Sequence, residues 1–267
     1  MPRSFKLISV CTVVLLTSLI SFGQTSTDQS TNSGISSSKQ AHSDQGSALR
    51  DGVEILRRFP GDQVAIFTAP VRVPEHKHAW AYLIPFVAAA ALIPLDKYIT
   101  NQLPPGQGGA SQTISDVGAF GTAGAVGGLY IYGLVRHDNH ARETGILGAE
   151  SLLDSLLPRL AMSYALGRYR PFQGPGEALG EGEFFGPHRW NTSFPSGHAT
   201  YTWAMASAIA HEYPSTKSKL FWYGVGTAVA VTRVTSKQHF ASDVVAGSAL
   251  GYFIGLHVWH AHHGDQN

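Results

Sequence analysis

Long apolar segments constrain the fold of this chain more than any other feature. Each is too long for a β-strand and lacks strict alternation of apolar and polar residues, so each is predicted to be a helix. The chain is therefore predicted to be all-α, a bundle of about six helices. The segments are Trp80–Leu95, Val117–Leu134, Ile146–Leu166, Ala199–Tyr213, Leu220–Val231 and Val244–Trp259.

Glycine spacing indicates how closely these helices pack. Gly247, Gly251 and Gly255 fall four residues apart in the last segment, so they share one face of a helix. A stripe of small residues lets a neighbouring backbone approach closely. We therefore expect this face to lie against another helix of the bundle.

The N-terminus resembles an export signal. Arg3 and Lys6 give a positive start, Leu7–Phe22 is apolar, and Gly23 supplies a small residue at the expected cleavage site. Residues 1–23 are thus predicted to be a signal peptide, with an uncleaved N-terminal anchor as the alternative. The protein is expected to be exported, and to be periplasmic or membrane-associated.

Two further regions follow the signal. Residues 24–48 are rich in Ser, Thr, Gln and Asp, so they bury too little to offset ordering entropy and are predicted to be a disordered linker. Residues 49–263 form the predicted helical domain. It is expected to open with a short amphipathic helix, Leu49–Arg58, which Phe59-Pro60-Gly61-Asp62 ends.

Composition bears on partners. The net charge of +1 and 14% charged residues argue against a nucleic-acid binder, which would carry a basic stripe.

Mean hydropathy is −0.02, and Ile146–Leu166 carries Glu150, Asp154 and Arg159. These values favour an exported domain, soluble or on a membrane surface, over an integral protein with six spans, which stays open as an alternative. The histidines at 257, 260, 262 and 263 indicate a solvated tail rather than a metal site.

The segment Phe194–Ala199 predicts an anion site. Pro195 favours a turn, Ser196 is a preferred helix cap, and Gly197 allows close approach of a ligand to the backbone. A helix N-terminus near Ser196 would offer free N–H groups and its positive dipole end to a phosphate-like anion. His198 lies in that first turn, where it could give or take a proton.

Two more clusters lie at predicted helix ends. Pro171 closes the third segment and leaves Arg170 near its terminus. In the stretch from Thr232 to Asp243, His239 and Asp243 would share a face at i, i+4 if that stretch is helical. A carboxylate on one ring nitrogen of a histidine fixes the tautomer and makes the other nitrogen a better nucleophile.

Together these clusters resemble the type 2 phosphatidic acid phosphatase and vanadium haloperoxidase superfamily. Its signature is Lys-x6-Arg-Pro, then Pro-Ser-Gly-His, then Ser-Arg-x5-His-x3-Asp. The second part is intact at residues 195–198, and the third matches at Arg233, His239 and Asp243 with Thr232 in place of serine. The first part matches at Arg170–Pro171 only.

The resemblance implies roles for these residues. The catalytic set would be His239 as the nucleophile that forms a phosphohistidine, Asp243 to orient it, and His198 to protonate the leaving oxygen and then activate water. The phosphate-binding set would be Arg170, Arg233, the amides of Ser196 and Gly197, and Ser163.

Ser163 departs from the family pattern. It occupies the position of the family lysine, so it offers a hydrogen bond and no charge. Arg168 or Lys237 could reach the same oxygens instead.

The expected function is therefore a metal-independent phosphatase without a cofactor, with the active site formed at helix ends. It would cleave phosphate monoesters or diphosphates, either lipid-linked or small phosphoesters. The aromatic residues Phe184, Phe185 and Trp190 between the first two motifs favour a lipid. Two alternatives stay open: a vanadium-dependent haloperoxidase, and a catalytically weak lipid-phosphate binder.

Overall fold

A computed structural model describes residues 34–72, 79–103, 108–173, 180–186 and 192–264. The chain divides into a unit of residues 1–46 and a larger unit of residues 47–267. The described residues form helices and connecting loops without a β-strand, which confirms the all-α prediction. The helices are α1 Gly34–Arg72, α2 Ala79–Leu92, α3 Asp96–Gln102, α4 Gly108–Arg136, α5 Asn139–Leu166, α6 Gly197–Glu212, α7 Thr216–Thr235 and α8 Ala241–His263.

The six predicted apolar segments all lie in these helices. The first covers α2 and the 3-10 turn Ile93–Leu95 that leads into α3, and the others fall within α4 to α8 in order. Helix α6 lies at the centre of the larger unit and contacts α4, α5, α7 and α8. Its central turns, including Ala204, Met205 and Ile209, are buried on almost every side.

The glycine stripe of α8 explains the tight packing of α8 on α6. A Cβ atom at Gly251 would lie 2.1 Å from the carbonyl oxygen of Thr200, and one at Gly255 would lie 2.3 Å from that of Ala204. At Gly247 it would lie 2.7 Å from the carbonyl oxygen of Ser196. The backbone of α8 therefore touches the backbone of α6, as the spacing predicted.

Helix α1 differs from expectation at both ends. It begins at Gly34, within the stretch 24–48 that was expected to be a linker, and it passes through Phe59–Asp62 to Arg72. Contacts with other helices outweigh the local turn signal: Gln63 Nε2 donates to Asp154 Oδ1 at 3.0 Å, and Arg142 Nη2 lies 2.7 Å from Asp51 Oδ1. The predicted signal peptide, and residues 24–33, lie outside the described residues.

The C-terminal histidines are not a solvated tail. They lie in the last turns of α8, where His262 Nε2 is 2.7 Å from Glu150 Oε2 and His257 Nε2 is 3.2 Å from Asp62 Oδ1. The tail prediction failed because helix α8 continues past Trp259 and packs these rings against acidic side chains of α1 and α5.

Apolar surface on the outer helices supports association with a membrane. Three helical stretches are long and apolar enough to cross a bilayer: Tyr82–Gln102, Gly109–Arg136 and Ala241–His263. An exposed apolar surface of this extent normally faces lipid or another protein. The large apolar side chains exposed on the first two stretches include Leu83, Ile84, Val87, Tyr98, Val117, Phe120, Ile131 and Val135.

Candidate active site

Four helix ends meet at a polar cavity of about 610 Å³. Arg170 follows α5, His198 lies in the first turn of α6, Arg233 in the last turn of α7, and His239 just before α8. Each of these side chains lines the cavity, so the predicted convergence of distant residues is present. The other lining residues are Arg159, Phe172, Gln173, Gly197, Tyr201 and Gln238.

His239 is held as a neutral imidazole with one free nitrogen. Its side chain is buried, and Nδ1 lies 2.7 Å from the carbonyl oxygen of Ser193, to which it can only donate. Burial lowers the pKa of His239 to about 4, although Asp243 opposes the shift, and the positive charge of Arg170 lowers it further. At neutral pH the proton therefore sits on Nδ1, and Nε2 carries the lone pair that a nucleophile needs.

Asp243 supports His239 less directly than predicted, because His239 precedes α8 and the stretch is not one continuous helix. Asp243 Oδ2 lies 3.8 Å from His239 Nδ1, but only 2.5 Å from the hydroxyl oxygen of Ser193 and 2.9 Å from the amide nitrogen of Phe240. Ser193 therefore donates to Asp243 and accepts from His239. No motif pointed to this loop residue.

Arg168 holds the loops around the site instead of binding substrate. Its guanidinium is buried and donates to Asp243 Oδ1 at 2.6 Å and to Asp96 Oδ2 at 2.8 Å. It also lies against the rings of Phe184 and Phe240, with centroid distances of 4.6 and 4.4 Å. Neither Arg168 nor Lys237 lines the cavity, so neither replaces the family lysine.

Ser163 does not reach the cavity. Its side chain is buried, and its hydroxyl oxygen lies 3.0 Å from the amide nitrogen and 2.8 Å from the hydroxyl oxygen of Thr192, so it anchors the loop that carries Ser193. Ser163 is therefore not among the residues that line the cavity. Arg159 lies one helical turn earlier on α5 and lines the cavity in its place. The i, i+4 spacing could have indicated this substitution from the sequence.

The start of α6 contributes less than predicted. The amide of Ser196 donates to the carbonyl oxygen of Asp243 at 3.1 Å, so it is not available to a phosphate, and Ser196 does not line the cavity. Gly197 does line it. A Cβ atom at Gly197 would lie 3.2 Å from Arg159 Nε, so glycine at this position leaves room for that guanidinium.

Asp116 on α4 joins the two sides of the cavity and was missed by the sequence analysis. Its Oδ1 lies 2.9 Å from His198 Nε2 and 3.6 Å from Arg233 Nη1. Burial and the charge of Arg233 lower the pKa of His198, while Asp116 opposes that shift. An acidic residue more than eighty positions from His198 carries no local signal that would pair the two.

The combined arrangement suits a tetrahedral anion. Arg159, Arg170 and Arg233 supply positive charge, and the buried imidazole of His239 supplies a nucleophile. Burial lowers the pKa of Arg170 to about 10, with Arg233 and Arg159 acting in the same direction, so Arg170 stays charged at neutral pH. Phosphoryl transfer depends mainly on positioning and charge stabilisation, which these groups can provide.

Comparison with known proteins agrees with this site. Residues 146–266 match the family described as the PAP2 superfamily, and they contain all the motif residues. The chain is 29% identical over 147 residues to a PA-phosphatase related-family protein of Dictyostelium discoideum, covering 49% of this chain and 52% of that protein. It is 34% identical over 105 residues to a lipid A 1-phosphatase of Porphyromonas gingivalis, covering 37% of this chain and 20% of that protein.

A further lipid A 1-phosphatase, from Rhizobium johnstonii, is 33% identical over 105 residues, 39% of this chain and 40% of that protein. The chain thus spans about half or less of the length of these relatives. Among solved structures, it resembles the transmembrane PAP2 type phosphatidylglycerolphosphate phosphatase from Bacillus subtilis. The TM-score is 0.50 at 18% identity, covering 77% of this chain and 98% of that one, which shows a shared fold. Residues 146–266 thus resemble the PAP2 superfamily in sequence.

Proposed function

We propose that this protein is a phosphatase that hydrolyses phosphate monoesters or diphosphates through a phosphohistidine, without a metal in the active site. One observation carries the proposal: a neutral, buried His239 shares a cavity with His198 and with three arginines. The resemblance to lipid A 1-phosphatases and to the PAP2 superfamily supports it.

In the first step, His239 Nε2 attacks phosphorus, a P–N bond forms, and the P–O bond to the leaving group breaks. His198, in its protonated form, gives its proton to the leaving oxygen. In the second step, His198 takes a proton from water, the water oxygen attacks phosphorus, and the P–N bond breaks to restore His239. Arg159, Arg170 and Arg233 hold the non-bridging oxygens throughout.

A lipid-linked substrate fits the surroundings of the site. A second cavity of about 610 Å³ lies between α2, α6, α7 and α8, and its lining is almost entirely apolar. Val234 and Val244 line it, and these residues directly follow Arg233 and Asp243 in the chain. We propose that an acyl or isoprenyl chain occupies this cavity while its phosphate is held by the arginines. The names of the lipid A 1-phosphatase relatives support the same class.

We also propose that residues 49–263 are the catalytic domain and that it acts outside the cytoplasm after export. The three membrane-compatible helices support a location of this domain at a bilayer surface or within it, close to lipid substrates.

The experiment is an activity panel on the full chain in detergent. Phosphate release is measured from phosphatidic acid, an isoprenyl diphosphate and a soluble aryl phosphate, with EDTA present. We expect the lipids to be preferred and His239→Ala to lose activity by at least about 10³-fold, because the nucleophile is gone.

His211→Ala is the matched control, because His211 is a half-buried histidine of α6 that does not line the cavity. Full activity of His239→Ala contradicts the mechanism. Activity that is lost in EDTA while the protein stays folded contradicts an active site without a metal. Bromination that requires added vanadate would instead indicate a haloperoxidase, and lipid binding without turnover would indicate a binding protein.

A further inference from the structure

A second polar centre lies at the other end of the bundle. Asp62 on α1 and Glu150 and Asp154 on α5 form a group that we call the acidic cluster. It faces the C-terminal turns of α8. The polar cavity lined by Arg170, Arg233 and His239, which we call the phosphate cavity, lies at the N-terminus of α8. Asp243 and His257 are fourteen residues apart on that helix, which corresponds to about 21 Å. The acidic cluster is therefore separate from the active site.

The three carboxylates are close together and withdrawn from water. One oxygen of each lies within 4.8 Å of one oxygen of the others. Glu150 and Asp154 are 1% and 0% exposed. Three carboxylates in such a place repel one another and lose their hydration, so they require a compensating positive charge or protons.

Each carboxylate has a hydrogen-bond partner at one oxygen and none at the other. Asp62 Oδ1 faces His257 Nε2 at 3.2 Å, Glu150 Oε2 faces His262 Nε2 at 2.7 Å, and Asp154 Oδ1 accepts from Gln63 Nε2 at 3.0 Å. Three carboxylate oxygens are buried and accept no hydrogen bond from the described residues. The same holds for the amide oxygen of Gln63. The four atoms are Asp62 Oδ2, Gln63 Oε1, Glu150 Oε1 and Asp154 Oδ2.

Carboxylates that bind metal ions show the same arrangement: one oxygen binds the metal, and hydrogen bonds to the other oxygen orient the group. Arg58 Nη1 is the nearby cation, 3.9 Å from Glu150 Oε1. With neutral histidines, three carboxylates and one guanidinium leave a charge of −2, which one divalent ion would balance.

We propose that the acidic cluster binds one divalent cation through oxygen ligands from Asp62, Gln63, Glu150 and Asp154. An all-oxygen ligand set favours a hard ion such as Mg²⁺, Ca²⁺ or Mn²⁺. The ion would link α1 to α5. Helix α8 would be held to both through the contacts of His257 with Asp62 and of His262 with Glu150. This site is structural and independent of the proposed phosphatase chemistry.

The rival explanation is that protons alone neutralise the acidic cluster. Burial and the negative charge of Asp62 raise the pKa of Asp154 to about 7, so a proton could occupy that carboxylate near neutral pH. Ion binding and protonation make different predictions for added metal, and Mn²⁺ separates them because its binding can be counted directly.

The test uses the EDTA-treated full chain in detergent at pH 8, titrated with Mn²⁺ and followed by electron paramagnetic resonance and by thermal unfolding. We expect one Mn²⁺ per chain and a higher Tm with Mn²⁺. Asp154→Asn and Glu150→Gln should each weaken binding by at least about tenfold. If one variant fails to fold, the other and the wild-type Tm decide the outcome.

Two controls locate the ion. Glu183→Gln removes an exposed carboxylate that lies outside both groups of metal-compatible side chains, and His239→Ala alters the phosphate cavity; both should bind Mn²⁺ as the wild type does. A folded wild type that binds no Mn²⁺, or equal binding by the wild type and Asp154→Asn, overturns the proposal and leaves protons as the neutralising species. Binding lost only in His239→Ala would place the ion in the phosphate cavity and also overturn it.

Discussion

Arg159 shows how a missing charge can be supplied from a neighbouring position. The motif places Ser163 where the family has lysine, but the serine hydroxyl is tied to Thr192 and a guanidinium one turn earlier reaches the cavity. A buried arginine presents several donors in a fixed plane, which suits the oxygens of a phosphate. The positive charge comes from Arg159, one turn earlier on the same face of α5, and not from position 163.

Replacing Arg159 by methionine should therefore reduce kcat/KM for phosphate release by about 10- to 100-fold, because a hydrogen bond to a charged group contributes about 1.5–3 kcal/mol. Arg142→Met is the control, since Arg142 is an arginine of the same helix that pairs with Asp51 outside the cavity. Equal losses in the two variants would argue against a role for Arg159 in phosphate binding. Steady-state kinetics on a soluble aryl phosphate measure both.

Asp116 should set the pH range in which His198 can act as an acid. Its negative charge raises the pKa of His198, so Asp116→Asn should lower that pKa. The protonated form of His198 would then be lost at lower pH, and the alkaline limb of the kcat profile should move to lower pH. Asp138→Asn, a helix-cap substitution outside the cavity, is the control. An unchanged limb in Asp116→Asn would contradict the assignment.

At the scale of the elements, close contact between α6 and α8 holds the N-terminal ends of both helices in register. His198 opens α6 and His239 precedes α8, so a shift of one helix along the other would separate the two imidazoles. The glycine stripe allows this contact because it brings backbone against backbone without intervening side chains.

Gly251→Ala should destabilise the fold by about 1–3 kcal/mol, the usual range for overpacking. The added Cβ would meet the backbone of Thr200, which cannot rotate away as a side chain can. Gly224→Ala is the matched control on α7, where a Cβ meets nothing within 4 Å, and it should raise stability by about 0.5–1 kcal/mol. Chemical unfolding of both variants measures the difference, and equal stabilities would contradict this packing.

Prediction from sequence worked where local pattern decides the structure. The apolar segments gave α4 to α8 because long runs without alternation have few other solutions in a chain of this kind. It failed for α1, where Asp62 and Gln63 gain partners on α8 and α5 that the local Pro-Gly signal does not reveal. Tertiary contacts of this type override local preference.

The candidate site divides in the same way. Residues in motifs, such as Arg170, Arg233 and His239, could be predicted to line one cavity because they match the family signature. Asp116 and Ser193 could not, because each meets its partner through the folding of distant segments.

At the scale of the whole molecule, two polar centres occupy opposite ends of a helical bundle with apolar outer helices. The phosphate cavity gathers positive charge at one end, and the acidic cluster gathers negative charge at the other. The apolar cavity between α2, α6, α7 and α8 and the apolar outer surfaces are where the proposed lipid substrates would lie. This arrangement agrees with the proposed phosphatase acting at a membrane.

The central claim is that His239 carries the phosphoryl group during turnover. In the most direct test, an activated aryl phosphate is mixed with the His198→Ala variant and the reaction is quenched in alkaline denaturant. The protein-bound phosphate is then mapped by mass spectrometry. This substrate needs no acid for its leaving group, while removal of the water-activating histidine slows the second step, so phosphate should accumulate on His239. Phosphate on another residue, or none on the protein during continuing turnover, would contradict the account.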